Sequence, residues 1–320
     1  VTPPPPSEPD GPPRPSRERW LLAGVVLAAF VALLALRVQH WGRLDQTALF
    51  YVGLPATIAL FVVLTVRART VVGVALAATT VCLTLAGPLL GEGLVCLLIA
   101  APLIYGVVAL VGWVAGLILR GGRSQHALFA VPLLFALALE GVAGVSLLPR
   151  ADRGEGSVLV AADPASVAAA LAAPPAYGEP EALFLRAVPF PRPVEASGEG
   201  LEAGDTRSVR FTPRRVLRPG AEPTPRHMEL RVAESRVGAD GGRVVFDVVE
   251  DTAFANWMDM RRAEAVWRAE GGGTRLTWTI DYERTYEPSW YFGPVQSYAT
   301  DLAAGYLGAA FAAAASGEGS

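Results

Sequence analysis

The chain has 320 residues, 52% of them hydrophobic, with 27 basic residues (all arginine) against 30 acidic ones and a net charge of −3. Its apolar content breaks at Pro149: five runs almost free of charge precede that residue, and a polar, strand-patterned segment follows it. Residues 151–320 carry 17 arginines and 24 acids, net −7, which argues against a nucleic-acid partner and, with the apolar runs, points to a membrane, a lipid or another hydrophobic ligand.

Residues 1–19 form a disordered tail, with prolines at 3–6 and 12–13 that favour extended chain. The region 20–149 is an expected helical membrane bundle. Its runs are Trp20–Leu36, Thr47–Val66, Thr70–Leu90, Leu94–Leu119 and Ala127–Leu148. A helix needs about 20 apolar residues to cross ~30 Å of hydrocarbon, and the first run sits at the lower limit. Arg14, Arg17 and Arg19 precede that run as they would a secretory signal. No small-residue cleavage site is followed by a polar chain, so a retained span is expected.

In a five-span arrangement Arg14, Arg17, Arg19, Arg67, Arg69, Arg120 and Arg123 share one side, against Arg37, Arg43, Arg150 and Arg153 on the other. The positive-inside rule then puts the N-terminus in the cytoplasm and the C-terminal domain outside it. A re-entrant element in place of two spans would return that domain to the cytoplasm. Glu140 is the formal charge inside a run. At that depth a carboxylate faces protein or water, and a structural hydrogen-bonding role is favoured over ion or proton movement. Gly112 and Gly116 match the close-packing spacing of membrane helices. Cys82 and Cys96 sit at depths too different for a disulfide and read as small hydrophobes.

The C-terminal domain is expected over 156–315, with 316–320 as a disordered tail. Ser157–Ala162 reads as a strand, Asp163-Pro164 caps a helix over Ala165–Ala173, and Glu181–Arg186 forms a second short helix. The period then changes to two. Thr206–Phe211, Arg226–Ser235, Arg243–Val249, Ala263–Ala269 and Thr274–Tyr282 read as successive antiparallel strands. Leu276, Trp278, Ile280 and Tyr282 share one face of the last strand. A long helix over Gly293–Ala314 ends the domain, with Val295, Tyr298, Leu302, Gly305 and Ala309 on one stripe. Small residues at 305 and 309 are expected to leave a gap between helix and sheet.

This order of elements, with Gly-Gly-Gly-Thr-Arg-Leu-Thr-Trp-Thr-Ile-Asp-Tyr-Glu at 271–283, Pro-Ser-Trp-Tyr-Phe-Gly-Pro at 288–294 and the hairpin segment Ser197–Asp205, resembles the START-like helix-grip superfamily, also called SRPBCC or polyketide cyclase/dehydrase-like. The resemblance covers residues 157–315. It implies an α+β fold, an antiparallel sheet around a long C-terminal helix, following the all-α transmembrane bundle. The superfamily spans lipid carriers, receptors and cyclases, so it leaves the chemistry open. The five-span half resembles that of bacterial membrane proteins carrying such a domain.

Neither a metal site nor a cofactor is expected. His40, His126 and His227 are scattered, without His-x-x-x-His or Cys-x-x-Cys spacing, and no nucleophile elbow or phosphate loop occurs. Aromatic residues crowd the last part of the chain. Trp278, Ile280 and Tyr282 on the strand, Tyr298 and Leu302 on the helix, and Trp267 and Trp257 nearby are the candidate ligand-binding residues. Asp251, Asp259, Asp281 and Glu283 would serve as acids or bases only if buried beside the pocket.

The favoured function is a membrane-anchored, non-catalytic domain binding a lipid or other hydrophobic molecule. The alternatives are a cyclase- or hydrolase-type enzyme using a cavity carboxylate such as Asp251, and a sensor or transporter whose soluble domain reports ligand.

Overall fold

A computed structural model describes residues 71–90, 94–119, 146–214, 223–255 and 257–317, together with Leu21, Gly24, Val25 and Ala28. The described residues fall into two compact units, one with two long helices and one with all the strands.

In the first unit α1 spans Val71–Leu90 and α2 spans Leu94–Leu119, close to the runs expected there, and neither contains a charged residue. Thr79 and Thr80 turn their hydroxyls onto the carbonyls of Ala75 and Leu76, which satisfies those donors within the helix. The Thr80 and Tyr105 hydroxyls bridge the two helices at 2.8 Å. No described helix is long and apolar enough to cross a membrane. The runs Trp20–Leu36, Thr47–Val66 and Ala127–Leu148 lie wholly or mostly outside the described residues, as do the N-terminal tail and Glu140.

The end of the last run, Ser146–Leu148, is described and is not helical. Its polar groups are held within the second unit: Leu148 N–H donates to Ser289 Oγ at 3.1 Å. Buried Arg284 donates to Ser146 Oγ (2.9 Å), Leu148 O (3.1 Å) and Pro149 O (3.2 Å).

The second unit is a seven-stranded antiparallel sheet of order β1-β7-β6-β5-β4-β3-β2. Its strands are β1 (Ala151–Val160), β2 (Pro193–Ser197), β3 (Thr206–Arg214), β4 (Thr224–Gly238), β5 (Gly241–Asp251), β6 (Met258–Glu270) and β7 (Gly273–Arg284). Between β1 and β2 lie α3 (Pro164–Ala172) and α4 (Leu183–Ala187); after β7 comes α5 (Ser289–Ser316). This is the helix-grip arrangement, a curled sheet around one C-terminal helix. Asp163 caps α3 as its sequence indicates, Oδ1 accepting from Ser166 N–H at 2.8 Å. Bulges in β3, β4 and β6 bend those strands and sharpen their twist.

Several elements are longer than expected, β6 starting at Met258 and α5 at Ser289, and two differ more. β1 begins at Ala151, not Ser157, and pairs with β7 from Ala151↔Glu283 to Val160↔Thr274. Its start was hidden by Gly154 and Gly156, residues of low strand propensity, and both are required where α5 crosses. A Cβ at Gly154 would lie 2.5 Å from Thr300 Cβ, and one at Gly156 only 2.2 Å from Gly305 N. Pro193–Ser197 is an edge strand, a place where proline is tolerated.

The core joins α3, the middle strands and α5: Val167 and Leu171 pack with Val232, Phe246, Trp267, Leu276 and Phe311. On β7, Leu276, Trp278, Ile280 and Tyr282 are all at most 4% exposed, as their alternation indicates.

Candidate functional site

α5 packs chiefly against β1 and β7, at one side of the sheet. The inner faces of β3 to β6 therefore extend past it, and a cavity of about 180 Å³ remains between them and the helix. Period-two alternation supplies its floor: Arg207, Val209 and Phe211 from β3, Met228 and Leu230 from β4, Phe246 and Val248 from β5, Trp278 and Ile280 from β7. Ala303, Tyr306 and Leu307 of α5 form one wall, and Tyr177, Leu185 and Phe190 from the segment after α3 form another. Trp278 anchors the floor, its ring stacked between Phe246 (centroids 6.1 Å apart) and Phe311 (5.3 Å). At the opposite rim Phe190 meets Trp257 edge-on at 5.5 Å.

The lining is mostly apolar, with Arg192, Arg207 and Arg262 as its charged members. Arg207 is 6% exposed, with its guanidinium 5.3 Å from the Phe246 ring centroid. Its Nη2 donates to the carbonyls of Leu171 and Gly200, while its Nε finds no acceptor. Burial draws the Arg207 pKa down, opposed by Tyr177 and Asp205. Burial pushes the Tyr177 hydroxyl up to about 12. Tyr306 stacks on Tyr177 at 6.4 Å and donates to Gly178 O at 2.8 Å; burial raises its pKa too.

The expected ligand-binding residues separate. Trp278, Ile280 and Trp257 line the cavity. Trp267 is fully buried in the core with Val167 and Leu171 of α3 and lies outside the lining. Tyr282 is 2% exposed, donates to Asp152 Oδ2 at 3.0 Å and also lies outside it; burial raises its pKa above the usual phenol range. Thus the middle pair of β7 faces the cavity and the flanking pair does not.

Tyr298 is 54% exposed, its ring 5.3 Å from Phe184, and Leu302 is half-buried; neither lines the cavity. The expected stripe lies off the buried one, which carries Gln296, Ala299, Thr300, Ala304, Gly308 and Phe311. Gly305 marks the tight crossing over Gly156 and Ala309 is exposed, so the small residues do not make the gap. Glu140 lies outside the described residues.

The candidate acids also stand apart. Asp251 Oδ1 accepts from the N–H groups of Ala253 (2.7 Å) and Phe254 (2.9 Å), capping the turn after β5. Asp259 and Glu283 pair with Arg261, and Asp281 pairs with Arg153. None of the four lines the cavity. His227 and Glu229, two apart on β4, meet Glu250 across the β4–β5 ladder, their ligand atoms within 4.8 Å of one another. Strand alternation assembles this exposed group, which helix-type spacing rules do not detect. His227 Nε2 pairs with Glu250 at 3.2 Å.

The residues that sequence reasoning missed, Arg207 above all, had a readable signal. Arg207 is in phase with Val209 and Phe211 on β3, a charge on an apolar face.

No protein-family model matches the chain, and no curated protein does. Among solved structures, it is similar to ginseng major latex-like protein 151 from Panax ginseng, with 15% identity over 49% of this chain and 99% of that one, TM-score 0.27. It is similar to TTHA0849 from Thermus thermophilus, with 15% identity over 53% of this chain and 100% of that one, TM-score 0.33. It is likewise similar to the Aha1 dimer from Colwellia psychrerythraea, with 14% identity over 52% of this chain and 99% of that one, TM-score 0.29.

Proposed function

We propose that this chain is a membrane-anchored START-like domain protein that holds a lipid chain or other hydrophobic molecule in the α5–sheet cavity and performs no chemistry on it. The cavity carries this reading: a concave, largely apolar space rimmed by aromatic rings is the kind of site that buries a small hydrophobic ligand. The described lining holds no Asp, Glu, His, Cys or Lys, which favours binding over the carboxylate-enzyme alternative. Anchorage is supported by the five apolar runs and by the uncharged sequences of α1 and α2.

Mass spectrometry of small molecules copurifying with the full-length protein tests the binding reading. A hydrophobic molecule at near-stoichiometric amount, lost when Ala303 is enlarged to Phe, is expected. Its absence, together with failure to take up any added apolar compound, defeats the reading. Alkaline washing of cell membranes tests anchorage: the protein should stay in the pellet. A reporter fused after Ser320 and active only outside the cytoplasm should be active; its silence, with activity of a reporter that works only in the cytoplasm, would reverse the orientation.

A further inference from the structure

The formal charge in the cavity lining is all positive. Its lining holds Arg192, Arg207 and Arg262 and no carboxylate. Arg262 is matched by Asp247 at 2.9 Å. Arg207 and Arg192 form no ion pair among the described residues. Arg207 is also the deepest of the three, and its Nε–H lacks an acceptor. A guanidinium removed from water with donors to spare is costly unless an anion or good acceptors offset the desolvation. A purely hydrocarbon occupant would leave the Arg207 Nε–H unsatisfied.

We infer that the cavity's ligand is an acidic amphiphile, with an oxyanion head, best a carboxylate, at the Arg207 end and its apolar body over Trp278 and Ile280. The inference rests on the cavity being the ligand site. The Nε–H, left over after Nη2 serves the two carbonyls, is free to donate to one oxygen of that head, and the guanidinium charge strengthens the bond. Size narrows the body. A void of about 180 Å³ is a little larger than the ~150 Å³ cavity that takes up benzene. That suits a short single chain or a small ring system entering from the open side, and is too little for a two-chain lipid.

The competing account is that Arg207 only ties the Leu171 and Gly200 carbonyls together. Calorimetric titration of the full-length protein at pH 8 with octanoate and with octan-1-ol separates the two. The wild type should bind octanoate about tenfold or more tighter than the alcohol, the scale of one charge-assisted contact. Arg207→Met should abolish that preference while alcohol binding persists, which shows that the cavity is intact. If Arg207→Met no longer binds the alcohol, Arg207→Gln, which keeps an amide NH2 for the two carbonyls but no charge, replaces it and should lose most of the preference.

Equal or tighter binding of the alcohol by the wild type overturns the inference. So does an octanoate preference that survives substitution of Arg207. Failure of the wild type to bind either compound strikes at the cavity reading itself, a different outcome from losing the preference alone.

Discussion

Gly156 of β1 and Gly305 of α5 meet backbone to backbone: a Cβ on Gly156 would fall 2.2 Å from the Gly305 nitrogen. This contact seats the helix at the β1–β7 side of the sheet and leaves part of the β3–β6 face beyond its reach, so the cavity follows from where the helix is clamped.

The contact is asymmetric, which gives a paired prediction. A Cβ on Gly305 itself meets nothing within 4 Å. Gly156→Ala must push α5 away and should destabilise the fold by about 1–3 kcal/mol or more, as overpacking does. Gly305→Ala should be neutral or stabilising, since alanine is the better helix former. Thermal unfolding of the full-length variants, followed by tryptophan fluorescence, compares them; equal losses at both positions would contradict the clamp.

Much of the sheet was legible in the sequence, and the helix face was not. On β7 polar and apolar residues alternate, so Leu276, Trp278, Ile280 and Tyr282 declare their face. α5 is apolar nearly all round, with alanine on every side, so periodicity discriminates poorly and the bulk of Tyr298 and Leu302 drew the expected stripe onto the wrong face. β1 was half hidden because its glycines serve a contact with a helix more than 140 residues away. Which inner-face residues line a cavity and which fill the core depends on where α3 and α5 land. Trp267 under α3 and Trp278 beside the cavity look alike in sequence.

The ring sandwich around Trp278 should be costly to open. Phe311 stacks on it at 5.3 Å and is 4% exposed. Phe311→Ala should cost roughly 3–5 kcal/mol, the range for truncating a buried phenylalanine, and should enlarge the cavity. Urea denaturation measures the first effect. A change below about 1 kcal/mol would mean that the sandwich is not part of the packed core.

Arg284 should govern the segment leading into the domain. It is 3% exposed and holds Ser146, Leu148 and Pro149 through three hydrogen bonds. Arg284→Met removes all three bonds and leaves two carbonyls to find water, a loss of roughly 1–3 kcal/mol. Limited proteolysis with trypsin should then cut faster after Arg150. An unchanged cleavage rate at that site would show that the tether is dispensable.

Asp251 supplies a pH signature. Burial raises its carboxyl above the usual range, despite the N–H groups of Phe254 and Ala253 that favour the charge. The folded state therefore binds this proton more tightly than the unfolded chain does. Stability from this group is complete below the ordinary carboxylate range and is lost as pH rises through its raised value. Asp251→Asn keeps an oxygen for both N–H groups and removes the buried charge. The variant should match the wild type near pH 4 and exceed it at pH 7.5 in urea unfolding. A variant weaker than the wild type at pH 7.5 would show that the ionised carboxylate stabilises the turn.

The central claim is that the space between α5 and the β3–β6 face is a binding cavity for a hydrophobic molecule. Titration of the full-length protein with 1-aminoanthracene, a neutral apolar fluorophore, addresses it most directly, with Ala303→Phe as the filled cavity and the unfolding midpoint as the control for folding. The account predicts saturable, one-site fluorescence enhancement in the wild type and its loss in a folded Ala303→Phe variant. Uptake unaltered by filling the cavity, or no saturable uptake by the wild type, would contradict it.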